Sequence, residues 1–146
     1  DAPTAVTRLL DLGVPAYLIN STLLGVMAQR LVRTLCPHCK KPVDAPDDET
    51  WKMITSPWRA EKPAQVMGAV GCLECRMTGY FGRMGLYEIM LMTPALRQMV
   101  HEGTDDARIR EQAYKDGMRP LRVSGASKIV AGMTTADEVI KVAPLA

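Results

Sequence analysis

Aromatic residues are scarce in this chain: Phe, Tyr and Trp make up 5% of 146 residues, and Phe occurs once. Core volume must come from elsewhere, and ten methionines supply part of it. Methionine is flexible and fills irregular gaps, so such a core is expected to be loosely specified. A charge excess is lacking too. Eighteen basic residues meet sixteen acidic ones, for a net +2. That balance gives no field to attract nucleic acid or a membrane surface, so no nucleic-acid partner is expected. No apolar run reaches the roughly 18 residues of a membrane span. The longest, 17–32, is broken by Asn20, Ser21, Thr22, Gln29 and Arg30, so no direct membrane span is expected.

The motifs of several enzyme classes are missing as well. There is no G-x4-G-K-[ST] phosphate loop, and none of the seven lysines follows a glycine-rich cradle. Neither G-x-S-x-G nor H-E-x-x-H occurs. The two histidines, His38 and His101, lie far apart in sequence. His38 reads as a spacer between two cysteines, and His101 as a cation in the last turn of a helix. The chain opens on Asp1-Ala2-Pro3, with no Met and no secretory signal. It is expected to be a piece of a larger protein, with no catalytic or cofactor-binding residue of its own.

What is present is a 47% apolar composition, enough for a core, and clear punctuation. Thr4–Leu12 reads as a short helix ended by Gly13, and Pro15 opens a second helix to about Ala28 with Leu18, Leu23, Leu24 and Met27 on its buried side. Alternation predicts a strand over Gln29–Leu35. From Pro42 to Pro63 lie four prolines and an acidic patch, Asp44 to Glu49. This insertion is expected to be a surface excursion with at most one short helix near Glu49–Ile54. A strand is predicted over Arg83–Met92, with Met84 and Leu86 in the core and Tyr87 a candidate for it. Four short helices follow. They open at Thr93-Pro94, at Thr104-Asp105-Asp106, at Pro120 and at Thr135, and Gly103, Gly117 and Gly132 stop the first three. Thr135 with Glu138 fits a capping box.

All four cysteines fall into two C-x2-C pairs, Cys36-Pro37-His38-Cys39 and Cys72-Leu73-Glu74-Cys75. Each spacing bends the backbone into a knuckle that presents two thiolates to one ion. Two knuckles complete the tetrahedral four-sulfur shell of structural zinc. Such a closed site has no open coordination position, so it stabilises rather than catalyses. Two other readings stay open: a free-standing zinc interaction module, and a thiol-disulfide oxidoreductase built on Cys-Pro-His-Cys. The second needs a helix after Cys36 to lower its pKa, and Pro42 and Pro46 leave little room for one.

Several phrases together resemble one family, the bacterial secretion and pilus-assembly ATPases of the type II secretion E protein and the type IV pilus extension motor. They are Asp1 through Val14; Leu23 through Arg33, leading into Cys36; Gly71 through Arg83 with Gly85-Leu86-Tyr87-Glu88; Thr93-Pro94-Ala95-Leu96-Arg97; and Gly132 through Val139. The resemblance covers nearly the whole chain except about 43–70. It implies a mixed α/β, helix-rich fold: the C-terminal end of a RecA-like motor domain (1–35), a tetracysteine zinc subdomain with its insertion (36–79), and a strand with a small helical subdomain (80–146).

The resemblance also implies that the parent is an ATP hydrolase working as a hexameric ring, with ATP and magnesium bound by upstream boxes. It implies docking to inner-membrane secretion or pilus platform proteins, and a cytoplasmic place peripheral to that membrane. Cys36, Cys39, Cys72 and Cys75 match the family's zinc ligands position by position, whereas the family's catalytic residues have no counterparts here. Arg30 and Arg33 could pass an arginine to a neighbouring subunit's phosphate; the plainer reading is a basic strand facing solvent or nearby acids. Apolar surface from Tyr17 to Ala28 is expected to be partly uncovered, with weak self-association as a result.

Overall fold

The computed structural model describes residues 1–143, and over these the chain is mixed α/β. The helices are α1 (Ala2–Asp11), α2 (Ala16–Thr22), α3 (Asp48–Thr55), α4 (Pro94–Met99), α5 (Asp106–Lys115), α6 (Leu121–Val130) and α7 (Ala136–Val142). The strands are β1 (Gly25–Leu35), β2 (Lys41–Asp44), β3 (Gln65–Gly68) and β4 (Tyr80–Leu91). Two two-stranded sheets form, β1 with β4 and β2 with β3. Among the described residues no helix is long and apolar enough to cross a membrane. By contact the chain divides into two units, 1–28 with 87–119 and 29–86 with 120–146.

In the first unit, α1 starts where its free N–H groups find oxygen. The Asp1 carboxylate accepts from Thr4 N at 3.0 Å, and the buried Glu88 accepts from Ala2 N at 2.8 Å. Both carboxyl groups sit at the positive end of the helix. Asp1 also accepts from Arg110 of α5 at 2.7 Å, and Thr4 donates to Asp106 at 3.1 Å. Ala2 and Val6 of α1, Ile19 of α2, Met90 of β4, Leu96 of α4 and Ile109 of α5 share one apolar cluster.

The second helix is shorter than the apolar run implies. It ends at Thr22, and β1 starts at Gly25 rather than Gln29. The Ser21 and Thr22 hydroxyls both donate back to Leu18 O. The Arg97 guanidinium donates to the carbonyls of Asn20 and Leu23, closing the helix C-terminus from another element. Leu24 O then accepts from Met92 N at 2.9 Å and the chain turns extended. Ile19 is the buried residue of α2, while Leu18, Leu24 and Met27, expected inside, are exposed.

In the second unit, the insertion is no surface excursion. Trp51 and Ile54 of α3 are buried in one cluster with Val32, Leu86, Ile129 and Val139. The acidic patch serves as that helix's start. Asp47 caps it through Thr50 N at 2.8 Å, with Asp48 and Glu49 in the first turn. The flanks of the insertion pair antiparallel, with Lys41 opposite Gly68 and Asp44 opposite Gln65. β4 starts at Tyr80, three residues before the expected Arg83, and Tyr87 lies on its exposed side.

The later starts follow the sequence signals. Thr93 caps α4 through Leu96 N, Asp105 caps α5 through Ala107 N, and Thr135 caps α7 through Glu138 N. Gly103, Gly117 and Gly132 all take positive φ. The expected box at Thr135 is half formed, because the Glu138 carboxylate turns to Arg33 instead. His101 lies beyond the end of α4 at Met99, so it is not in the last turn of that helix.

Candidate metal centre

Each cysteine pair stands on a turn that follows or precedes a strand. β1 ends at Leu35, and Cys36 N donates to Gly79 O at 2.9 Å. Lys40 N closes the first turn on Cys36 O at 3.1 Å, and Lys40 Nζ reaches Gly132 O at 2.8 Å. The second turn is tighter. Met77 N donates to Cys72 O at 2.8 Å, and the Thr78 hydroxyl donates to Cys75 O at 2.7 Å. Arg76 and Met77 take φ of 53° and 62°, an arrangement non-glycine residues rarely adopt. Gly79, at φ 79°, admits no side chain: an added Cβ would lie 2.7 Å from that of Ala69.

These turns bring the four predicted ligands together. One sulfur from each of Cys36, Cys39, Cys72 and Cys75 lies within 4.8 Å of the other three. Cys36 and Cys72 are 3.9 Å apart, Cys39 and Cys75 3.8 Å, and Cys72 and Cys75 3.8 Å. A tetrahedral shell with metal–sulfur bonds of about 2.3 Å has edges of about 3.8 Å. Those three separations match that edge, so the residues present fit a tetrathiolate site. Cys36 is fully buried, Cys75 is 4% and Cys39 9% exposed, while Cys72 is half-buried.

Backbone N–H groups point at the sulfurs, as a thiolate requires. Cys39 Sγ accepts from Gly71 N, and Cys75 Sγ accepts from Cys72 N and Gly79 N, each at 3.2 Å. The surroundings act in opposite directions on Cys75 and Cys72. Burial acts to raise the Cys75 thiol, but those N–H donors and the neighbouring thiols outweigh it and bring it to about 6. At Cys72 an N–H favours the thiolate, yet burial and the crowding of the other thiols push it up to about 11. The N–H groups of Cys72 and Gly79 thus favour the thiolate at Cys75.

His38 is exposed and stands outside the sulfur group, as a spacer does. Arg33 lies close by in sequence but faces α7. Its guanidinium donates to Glu138 at 2.7 and 3.0 Å, its backbone N–H donates to the same carboxylate at 3.0 Å, and it stacks 4.0 Å over the Tyr80 ring. The Arg33 hydrogen bond holds the Glu138 carboxyl below its usual range despite burial. This is the plainer of the two readings of Arg33, a basic side chain satisfied by a nearby acid. The spacing Thr135-x-x-Glu138 marks a helix start but gives no sign that the acid serves another strand.

A family model described as type II/IV secretion system protein matches residues 1–141. The chain is 48% identical over 99% of its length to the type IV pilus assembly ATPase TfpB of Acinetobacter baylyi. It is 42% identical over 94% of its length to the type II secretion system ATPase E of Vibrio cholerae, and 40% identical over 97% to the type II secretion system protein HxcR of Pseudomonas aeruginosa. It covers 25%, 27% and 26% of those three proteins, so it spans about a quarter of the length of the curated relatives it matches.

Proposed function

The chain belongs to the type II/IV secretion system protein family, and from that premise we propose that it is the structural, zinc-bearing C-terminal segment of a ring-forming ATPase that powers protein secretion or pilus assembly. Residues 1–35 form the end of a RecA-like motor domain in this reading, and 36–79 its zinc subdomain. The strand and helices of 80–146 complete it. The intact motor is a hexamer that binds ATP and magnesium through residues upstream of this chain. It works in the cytoplasm against platform proteins of the inner membrane.

The observation that carries the reading is the sulfur geometry, four thiols from two turns at the spacings of a tetrahedral shell. Cys36, Cys39, Cys72 and Cys75 would hold the ion, and a bound zinc supplies a cross-link between the two turns. All four positions are thiols, so no site is left for substrate. The chain's own residues do the rest: Gly71, Cys72 and Gly79 donate N–H groups to the sulfurs, and Gly79 O anchors Cys36 N. The oxidoreductase reading loses ground because Cys36 is fully buried and Cys39 is followed by β2 rather than a helix.

Two measurements test the proposal. Purified chain should contain one zinc, with its thiols masked from a native thiol reagent. It should show no ATP turnover above blank, while the same segment joined to its motor domain hydrolyses ATP. Turnover by the 146-residue chain, or a metal-free chain with four reactive thiols, overturns it.

A further inference from the structure

The four sulfurs are not equally protected, and the difference singles out one of them. Cys36, Cys39 and Cys75 are buried, whereas Cys72 is half-buried and is followed by Leu73, which is 89% exposed. Cys75 is shielded twice, by burial and by the N–H groups of Cys72 and Gly79. Cys72 also sits where two sulfurs are within reach, Cys36 of the other turn at 3.9 Å and Cys75 of its own turn at 3.8 Å. A metal-bound thiolate keeps its nucleophilic lone pairs, and exposure decides which one meets a reagent first.

We propose that Cys72 is an oxidation site through which a hydroperoxide discharges the metal, and that Cys36 is its resolving thiol. The proposal rests on the zinc reading above. The Cys72 sulfur attacks the peroxide O–O bond and takes the terminal oxygen as a sulfenic acid; the other oxygen leaves as hydroxide or alkoxide and is protonated to water or an alcohol. The Cys36 thiolate then attacks the Cys72 sulfur and expels hydroxide, forming a disulfide. Two sulfurs lose two electrons and the peroxide gains two, and only Cys39 and Cys75 would remain as thiols able to hold an ion. Cys36 is preferred over Cys75 because the Cys75 sulfur is already engaged by two N–H donors, which lower its nucleophilicity. The product differs from a bond within one turn: Cys36–Cys72 ties the two turns together, so the metal leaves while the cross-link persists. Cys39 and Cys75, 3.8 Å apart, stand ready to form a second such bond.

The test uses the wild-type chain at measured metal content, so no ligand is removed. Hydrogen peroxide is added below stoichiometry with a chromophoric zinc chelator present, and the products are mapped without reduction. In parallel, a brief pulse of iodoacetamide is read by peptide mass. The expected results are metal release in step with a first disulfide between Cys36 and Cys72, and alkylation of Cys72 at least about tenfold faster than of Cys36. A first disulfide between Cys72 and Cys75, or even labelling of the four thiols, overturns the proposal. A preparation devoid of metal overturns the zinc reading instead.

Discussion

The first unit buries Val6, Ile19, Met90, Leu96 and Ile109 in one apolar cluster, whereas the cluster at the two cysteine turns holds nothing but the four cysteines themselves. In the first, cohesion is spread over many side chains, each worth about 1.5–3 kcal/mol on burial. In the second, it is concentrated in four atoms. Loss of one contact is a fraction of the former and the whole of the latter. The first depends on shape, the second on the ion and on the protonation of its ligands.

The largest effect is expected where the concentration is greatest. Cys75→Ser removes the sulfur that accepts from Cys72 N and Gly79 N. It should abolish metal binding, an apparent energy on the order of 10 kcal/mol. Hydrogen exchange should then rise at 36–40 and 70–79 and stay unchanged in α1 and α5. Equal loss of protection in α1 would erase the contrast between the two regions. Next comes Leu96→Ala in the first unit, where Leu96 is 1% exposed. It should cost about 2–5 kcal/mol in chemical denaturation while metal content stays at the wild-type value.

Glu138→Gln sharpens the contrast within the second unit. Because Arg33 depresses the folded carboxyl, its stabilisation is fully present above the unfolded Glu pKa of about 4.3 and is lost as pH falls through the lower folded value. The Arg33 amide, which donates to this carboxylate, should report that loss by NMR. The variant should lack this acid transition and cost about 1–3 kcal/mol at neutral pH. An unchanged Arg33 acid titration in the variant would refute the assignment. The smallest effect is Thr93→Ala, which removes the cap of α4 and a bond to Asp116. About 1 kcal/mol is expected by thermal unfolding.

The parts legible in the sequence are those written locally. The two C-x2-C pairs announced the sulfur cluster, and Thr93, Asp105 and Thr135 announced helix starts, because a cap needs only a few neighbouring residues. What was not legible depends on partners remote in sequence. Arg97 ends α2 from more than seventy residues away. Glu138 leaves its own cap for Arg33, at a separation of 105. The pairing of β2 with β3 could not be read either, since each has four residues and β2 contains Pro42, which argues against a strand.

That ladder changes how the metal site must be counted. Between Cys39 and Cys72 lie residues 40–71, thirty-two in all. Once Lys41 pairs with Gly68, the path from one cysteine turn to the other runs only through Lys40, Lys41, Gly68, Ala69, Val70 and Gly71. Closing a loop of six rather than thirty-two residues saves about 1.5 kcal/mol of chain entropy. A bound ion would therefore close a short ring whose far side the backbone has already fastened, and the length of 45–64, whose helix packs into the core beyond that ladder, does not enter the closure at all.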